Sequence, residues 1–224
     1  MKHLILTVLV VLSTFSIVSA QEYLAVKINS KPTEWTISSL LNQKTDSFKV
    51  LGSPTTVSTK YGKAVEFNGK DDAIFIDKMP LAGLEVFTVE MIFNPYSGGN
   101  FEQRIFHCGE ITNSRVLLEL RSLSKGWYFD AFIKAGNEKH TLIDSTLIHP
   151  HNQWCHVAFV VNHGQLTTYI NGKKELEGKI NMTIFFSGKT SIGVRQTVNS
   201  WFKGIIYKIK ITPKVLYPSQ FMSY

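Results

Sequence analysis

The sequence predicts an all-β protein made of two packed antiparallel sheets, a sandwich or jelly roll. Three observations lead there. Apolar and polar residues alternate with period two through most of the chain, the pattern of strands with one wet and one buried face. Turn-forming pairs punctuate the alternation at Asn68-Gly69, Gly98-Gly99, His163-Gly164 and Asn171-Gly172. Helical signals are scarce, "WTISSLLN" (35–42) offering no more than a short turn.

In chain order, "MKHLILTVLVVLSTFSIVSAQ" opens with Lys2, an apolar run from Leu4 to about Val18, and the small residues Ser19 and Ala20. This is the form of an export signal cleaved before Gln21, and the run falls short of the ~20 apolar residues of a bilayer span. The expectation is a signal peptide at 1–20, a single domain at 21–224, no membrane span after cleavage, and a secreted or periplasmic location. Strands are predicted at 23–28, 63–67, 73–76, 87–94, 104–108, 115–121, 127–134, 140–144, 154–161, 166–170, 191–194 and 204–212. "QLTTYINGKKELEG" reads as a hairpin whose Asn171-Gly172 pair supplies the positive φ angles of a tight turn. Neither linkers nor internal repeats divide the chain.

The formal net charge of +7 is spread as single lysines rather than runs, which argues against a nucleic-acid partner and leaves an attraction to acidic polymers. Cys108 and Cys155 are the only cysteines; they form either one disulfide or two buried thiols, and in neither case a disulfide scaffold.

Alternation also assigns faces. Arg115, Leu117, Glu119 and Arg121 share one side of their strand, and Tyr128, Asp130, Phe132 and Lys134 one side of the next. With Glu90 from 87–94, these polar sides form one surface if the strands are neighbours. Arg104 and His107 fall on opposite sides of 104–108. Opposite charges on adjacent strands can simply stabilise a solvated face, by tenths of a kcal/mol to about 1 kcal/mol per pair. Arginine mixed with acids and aromatics is also how surfaces grip planar or anionic groups.

Several phrases carry a family resemblance. "YGKAVEFNGKDDAIFID", "LEVFTVEMIFNP", "WCHVAFVVNHGQLTTYINGKKE" and "SWFKGIIYKIKITPKVLYPSQF" resemble, in order, successive parts of laminin-G-like domains of the concanavalin A-like jelly-roll superfamily. The resemblance covers about 50–222. It implies two curved antiparallel sheets, the concave one often the place where relatives bind or cut glycans, and leaves function open among lectins, adhesion modules, hydrolases and lyases. The hydrolase branch carries Glu-x-Asp-x-Glu on one strand, which is absent here. Lyase relatives carry Arg-x-Glu-x-Arg-like and Gln-x-His strands, which "RVLLELR" and "QRIFH" echo loosely; there His107, Glu119 and Tyr128 are the catalytic candidates. Relatives also take Ca²⁺ at the sheet rim, for which Asp71 and Asp72 in "NGKDDA" are the candidates. His149 and His151, separated by Pro150, read as loop residues before a metal pair. The expected function is carbohydrate binding, with an anionic polysaccharide as one ligand class, by Arg115, Glu119, Arg121, Tyr128 and Asp130, joined by Arg195 and Trp201 from the loop "SIGVRQTVNSWFKG". The alternatives are a lyase on uronic-acid glycans, less readily a glycoside hydrolase, and a protein-interaction module. Oligomeric state is not legible.

Overall fold

A computed structural model describes residues 31–43, 45 and 47–223; the signal segment and the strand expected at 23–28 lie outside the described residues. The elements are β1 (Thr33–Thr36), the helical turn α1 (Ile37–Leu40), β2 (Phe48–Leu51), β3 (Thr55–Thr59), β4 (Gly62–Asn68), β5 (Ala73–Ile76), β6 (Val86–Pro95) and β7 (Glu102–Gly109). They continue with β8 (Arg115–Leu123), β9 (Gly126–Ala135), β10 (Glu138–Ile143), β11 (Cys155–Asn162), β12 (Gln165–Ile170), β13 (Lys173–Lys179), β14 (Lys189–Ile192) and β15 (Lys203–Thr212). A 3₁₀ turn follows at Pro218–Gln220. No described helix is long and apolar enough to cross a membrane.

The strands form two antiparallel sheets. The first runs β13-β12-β11-β6-β15-β4-β3, with β1 also on β15; the second runs β10-β9-β8-β7-β14-β5-β2. Inward residues of both sheets make one core, in which Phe93 meets Trp127 and Phe202 at centroid distances of 5.6 and 6.1 Å. Trp127 is fully buried because its indole N–H donates to the Pro150 carbonyl at 3.1 Å, which satisfies its only polar atom.

Most predicted strands are present with their ends moved by a residue or two. The segment expected at 191–194 is instead Lys189–Ile192, since Gly193 turns with φ 80°. β1, β2 and β3 were not expected; "TTVST" has Val57 as its one apolar residue and pairs along only one edge, so alternation does not mark it. The β12–β13 hairpin has its turn at Asn171 (φ 51°) and Gly172 (φ 77°), both left-handed as the tight turn requires.

One irregularity decides what faces outward. β7 pairs Arg104 with Glu119 and then Phe106 with Leu118, so Ile105 is an extra residue in the ladder. This β-bulge breaks the period of two. Ile105 and Phe106 are both buried in the core, and Arg104 and His107 share the outer face that strict alternation denied them.

Candidate functional site

The outer face of the second sheet carries cross-strand rows of polar side chains. Arg104, Glu119 and Asp130 lie side by side on β7, β8 and β9; Glu102, Arg121 and Tyr128 form the next row; His107, Leu117 and Phe132 lie on the other flank. Glu90 is not among them. It lies on β6 of the first sheet, fully buried, where Oε1 accepts bonds from His156 Nε2 at 3.0 Å and the Met222 amide at 2.6 Å. The C-terminal strap crosses that sheet, the Lys214 carbonyl accepting from Thr88 Oγ1 and Phe221 packing on Tyr169.

Arg121 is the hub. Its Nε and Nη2 donate to Asp130 Oδ2 at 2.9 and 2.5 Å, Nη1 pairs with Glu102, and Nη2 lies 3.4 Å from Glu119. Arg104 pairs with Glu119 and, at 3.5 Å, with Glu102. Five charged groups thus lock one another, and Arg104, Glu119 and Asp130 are each only 2% exposed. Burial pushes the Arg104 guanidinium down to about 10, Glu102 opposing and Arg195 and Arg121 assisting. Burial also raises the Asp130 carboxyl, offset in part by Arg121. Glu102 is lowered: burial works against its charge, but hydrogen bonds from Arg121 and Ser200 outweigh it.

His107 is fully buried and pushed down to about 4, first by burial and further by Arg104, Arg115 and Arg195, while the Glu110 carbonyl works the other way. The neutral ring uses both nitrogens: Nε2 donates to the Glu110 carbonyl at 3.0 Å and Nδ1 accepts the Gln196 amide at 3.3 Å.

The β14–β15 loop is stitched onto β7. The Arg104 amide donates to the Ser200 carbonyl (2.8 Å), Ser200 Oγ to Glu102 Oε1 (2.8 Å), and Gln196 Nε2 to the Gly109 and Lys189 carbonyls. Val198 and Ser200 hold φ angles of 60° and 57°, the first strained for a β-branched residue. This loop brings half-buried Arg195 to the flank occupied by His107. Arg115 donates from Nη1 to the Thr112 and Asn113 carbonyls and lies 5.0 Å over the Phe132 ring. Tyr128 is buried beside Arg121; Trp201 is half-buried, and it is the following Phe202 that fills the core. Of the predicted residues, Arg115, Glu119, Arg121, Tyr128, Asp130 and Arg195 therefore lie on one face. Sequence reasoning missed Arg104 and Glu102, which the bulge and the Ser200 contact place there.

Asp71 and Asp72 do not meet that face. Asp72 Oδ1 and Oδ2 accept the Ser53 and Asn68 amides at 2.7 and 2.9 Å, and Asp71 Oδ1 accepts Asn68 Nδ2 at 2.7 Å. As a calcium site the turn fits poorly, because carboxylate oxygens already holding N–H donors are poor cation ligands. No group of three or more metal-binding side chains occurs among the described residues. His149 pairs with Glu175 at 2.8 Å and His151 Nε2 with Ser122 Oγ at 2.9 Å. Cys108 and Cys155 are buried free thiols, one in each sheet.

Two antiparallel sheets closed over one core, with a polar outer face, define a concanavalin A-like jelly roll. The chain belongs to the laminin-G family of the concanavalin A-like lectin/glucanases superfamily, whose family model matches residues 68–220. Comparison with curated proteins gives no significant match. Among solved structures, domain 4 of AbnA, a GH43 extracellular arabinanase from Geobacillus stearothermophilus, in complex with arabinotriose, is similar with a TM-score of 0.61 and 22% identity. That match covers 77% of this chain and 85% of that one. The botulinum neurotoxin serotype D binding domain is similar with a TM-score of 0.60 and 18% identity, over 77% of this chain and 44% of that one. The binding domain of botulinum neurotoxin DC in complex with SialylT gives 0.58 and 14%, again over 77% and 44%. These likenesses establish the fold alone.

Proposed function

We propose that the protein is a carbohydrate-binding module whose ligand lies on the outer face of the second sheet. The observation that carries this reading is the five-membered lattice of Glu102, Arg104, Glu119, Arg121 and Asp130. Its inner members are buried and rigid, while Glu102 and Arg121 remain 38% and 18% exposed at the side chain. Donors and acceptors held in fixed positions at a surface suit sugar hydroxyls, because little side-chain entropy is lost on binding. Phe101, 54% exposed with Arg121 5.8 Å from its ring, supplies an apolar surface for a pyranose face. The arabinotriose and SialylT complexes of similar domains lend support.

A catalytic reading finds less. A general base needs a free lone pair within reach of substrate, and His107 is buried with both nitrogens engaged. Each carboxylate in the lattice is tied to a guanidinium. The test is affinity electrophoresis against neutral and uronic-acid polysaccharides, with ultraviolet absorbance followed in parallel. Retention without new absorbance or chain shortening is expected, and Arg121→Ala should abolish it. Retention by no glycan sinks the reading, and rising absorbance replaces it with a lyase.

A further inference from the structure

The register of the second sheet places Lys189 opposite Gly109, Gly109 opposite Arg115, Arg115 opposite Lys134, and Lys134 opposite Lys139. Four of the five positions in this row across β14, β7, β8, β9 and β10 are cations, and all belong to the outer face. The fifth must be glycine: φ is 126°, and a Cβ there would run into the Ser114 carbonyl and the Arg115 backbone. At strand spacings of about 4.8 Å the row is roughly 19 Å long.

Like charges directly opposite one another on adjacent strands are destabilising. In the middle of this row no acid acts on Arg115 among the described residues, and Lys134 has only the field of Glu110. Arg115 and Lys134 converge on one carbonyl, that of Thr112, at 2.6 and 3.1 Å. Glu110 accepts from Ser187 and Asn113 and acts on Lys134 through its charge without forming an ion pair with it. Among the described residues only Lys189 of this row forms an ion pair, with Asp77 at 3.2 Å.

The loop adds Arg195, whose charge acts on Arg104, Arg115 and His107 and which has no ion-pair partner among the described residues. The Nε atoms of Arg104, Arg115 and Arg195 are all buried without an acceptor. Buried donors without an acceptor are expensive, and at this flank Arg115 and Arg195 each carry one. An incoming anion is met by the half-buried guanidinium groups of Arg115 and Arg195, Arg104 lying too deep to reach it and contributing through its charge. Beyond Lys189 lies a hollow of about 340 Å³ lined by Lys49, Phe75, Ile76, Asp77, Lys189 and Val198, where Asp77 closes the cationic row.

Resting on the reading of this face as a glycan site, we infer that the ligand is an acidic polysaccharide. Its carboxylate or sulfate groups sit along the Lys189–Arg115–Lys134–Lys139 row, one of them held between Arg115 and Arg195. Arginine gives the paired, directional bonds that single out such groups. The row crosses several strands, so a chain of a few sugar units is held rather than one.

The experiment compares polygalacturonate with its carboxyl-reduced, neutral counterpart by isothermal titration, with a sulfated glycan as a third arm and single-stranded DNA as a competitor. Binding of the charged chain, at least tenfold loss on carboxyl reduction and a further weakening with added salt are expected. Arg195→Gln and Arg115→Gln should each cost about tenfold or more, and Lys60→Gln, on the other sheet, nothing. A preference for the sulfated arm identifies the anion and keeps the proposal. Equal affinity for both polygalacturonates overturns it and leaves the glycan reading standing; binding to no glycan removes that reading too. Preferential binding of DNA overturns it in favour of a general polyanion site. Lys134→Glu separates folding from binding: it relieves the repulsion, so the melting temperature should hold or rise while acidic-glycan affinity falls. A fall in melting temperature with affinity unchanged would refute the proposal.

Discussion

His107 and Arg104 show how burial on a sheet face turns into measurable stability. The folded imidazole titrates near 4 against an ordinary value of 6.5. Above pH 6.5 the ring is neutral folded or unfolded, and stability is at its full value. Between 6.5 and 4 the unfolded chain takes up a proton that the folded chain refuses, so stability falls with pH, by about 3 kcal/mol in all. Urea unfolding across this window should show that decline in the wild type and lose this component of it in His107→Gln. Arg104 belongs to a pair with Glu119 in which both side chains are 3% exposed. Removing Arg104 leaves buried Glu119 with only the 3.4 Å contact to Arg121, so Arg104→Met should destabilise by about 3 kcal/mol. The double variant Arg104→Met with Glu119→Leu should recover much of the loss. A double-mutant cycle that comes out additive would show that the two charges do not depend on each other.

At the scale of the element, the bulge in β7 makes a prediction about deletions. Ile105 has no partner in the β7–β8 ladder, so its removal leaves the pairs on either side in register. The chain should still fold, at the expense of one buried aliphatic side chain, about 2–5 kcal/mol. Deleting Val116, in the regular β8, sends every later side chain of that strand to the wrong face and should give no folded protein. Circular dichroism melts of the two deletions distinguish these outcomes. The bulge also marks the limit of what sequence pattern conveys. Arg115, Glu119 and Arg121 on β8 and Tyr128 and Asp130 on β9 are legible as shared faces because both strands keep strict alternation. Arg104 and His107 are not, because a single extra residue changes the parity without leaving a signature in composition. Glu90 was grouped with them for a related reason: alternation fixes which side of a strand a residue occupies and is silent on which sheet the strand joins.

For the molecule as a whole, the fold was legible well before its ladder order. Turn pairs and alternation gave the sandwich, whereas β1 and β2 are short segments whose place is set by partners distant in sequence, and β3 is a mostly polar edge strand beside β4. The thiols are a whole-molecule question too, since β7 and β11 belong to different sheets facing each other across the core. Cys108 is pushed up to about 12 by burial, and Cys155 is raised for the same reason. Neither is a ready nucleophile or oxidation target. The melting temperature should be the same with and without a thiol reductant, and a marked drop on reduction would reveal a disulfide.

The last long strand of the chain occupies the middle of the first sheet. One edge of β15 pairs with β6, and the other is shared, Lys203–Ile206 lying on β4 and Lys208–Ile211 on β1. Until residue 212 has left the ribosome, β1 has nothing to pair with and both halves of that sheet end in open edges. The core therefore cannot close until β15 has emerged, and closing it joins segments that lie far apart in the sequence. A premature stop anywhere before β15 removes the keystone of the sheet and leaves an unpaired, aggregation-prone fragment, with no smaller working module to fall back on.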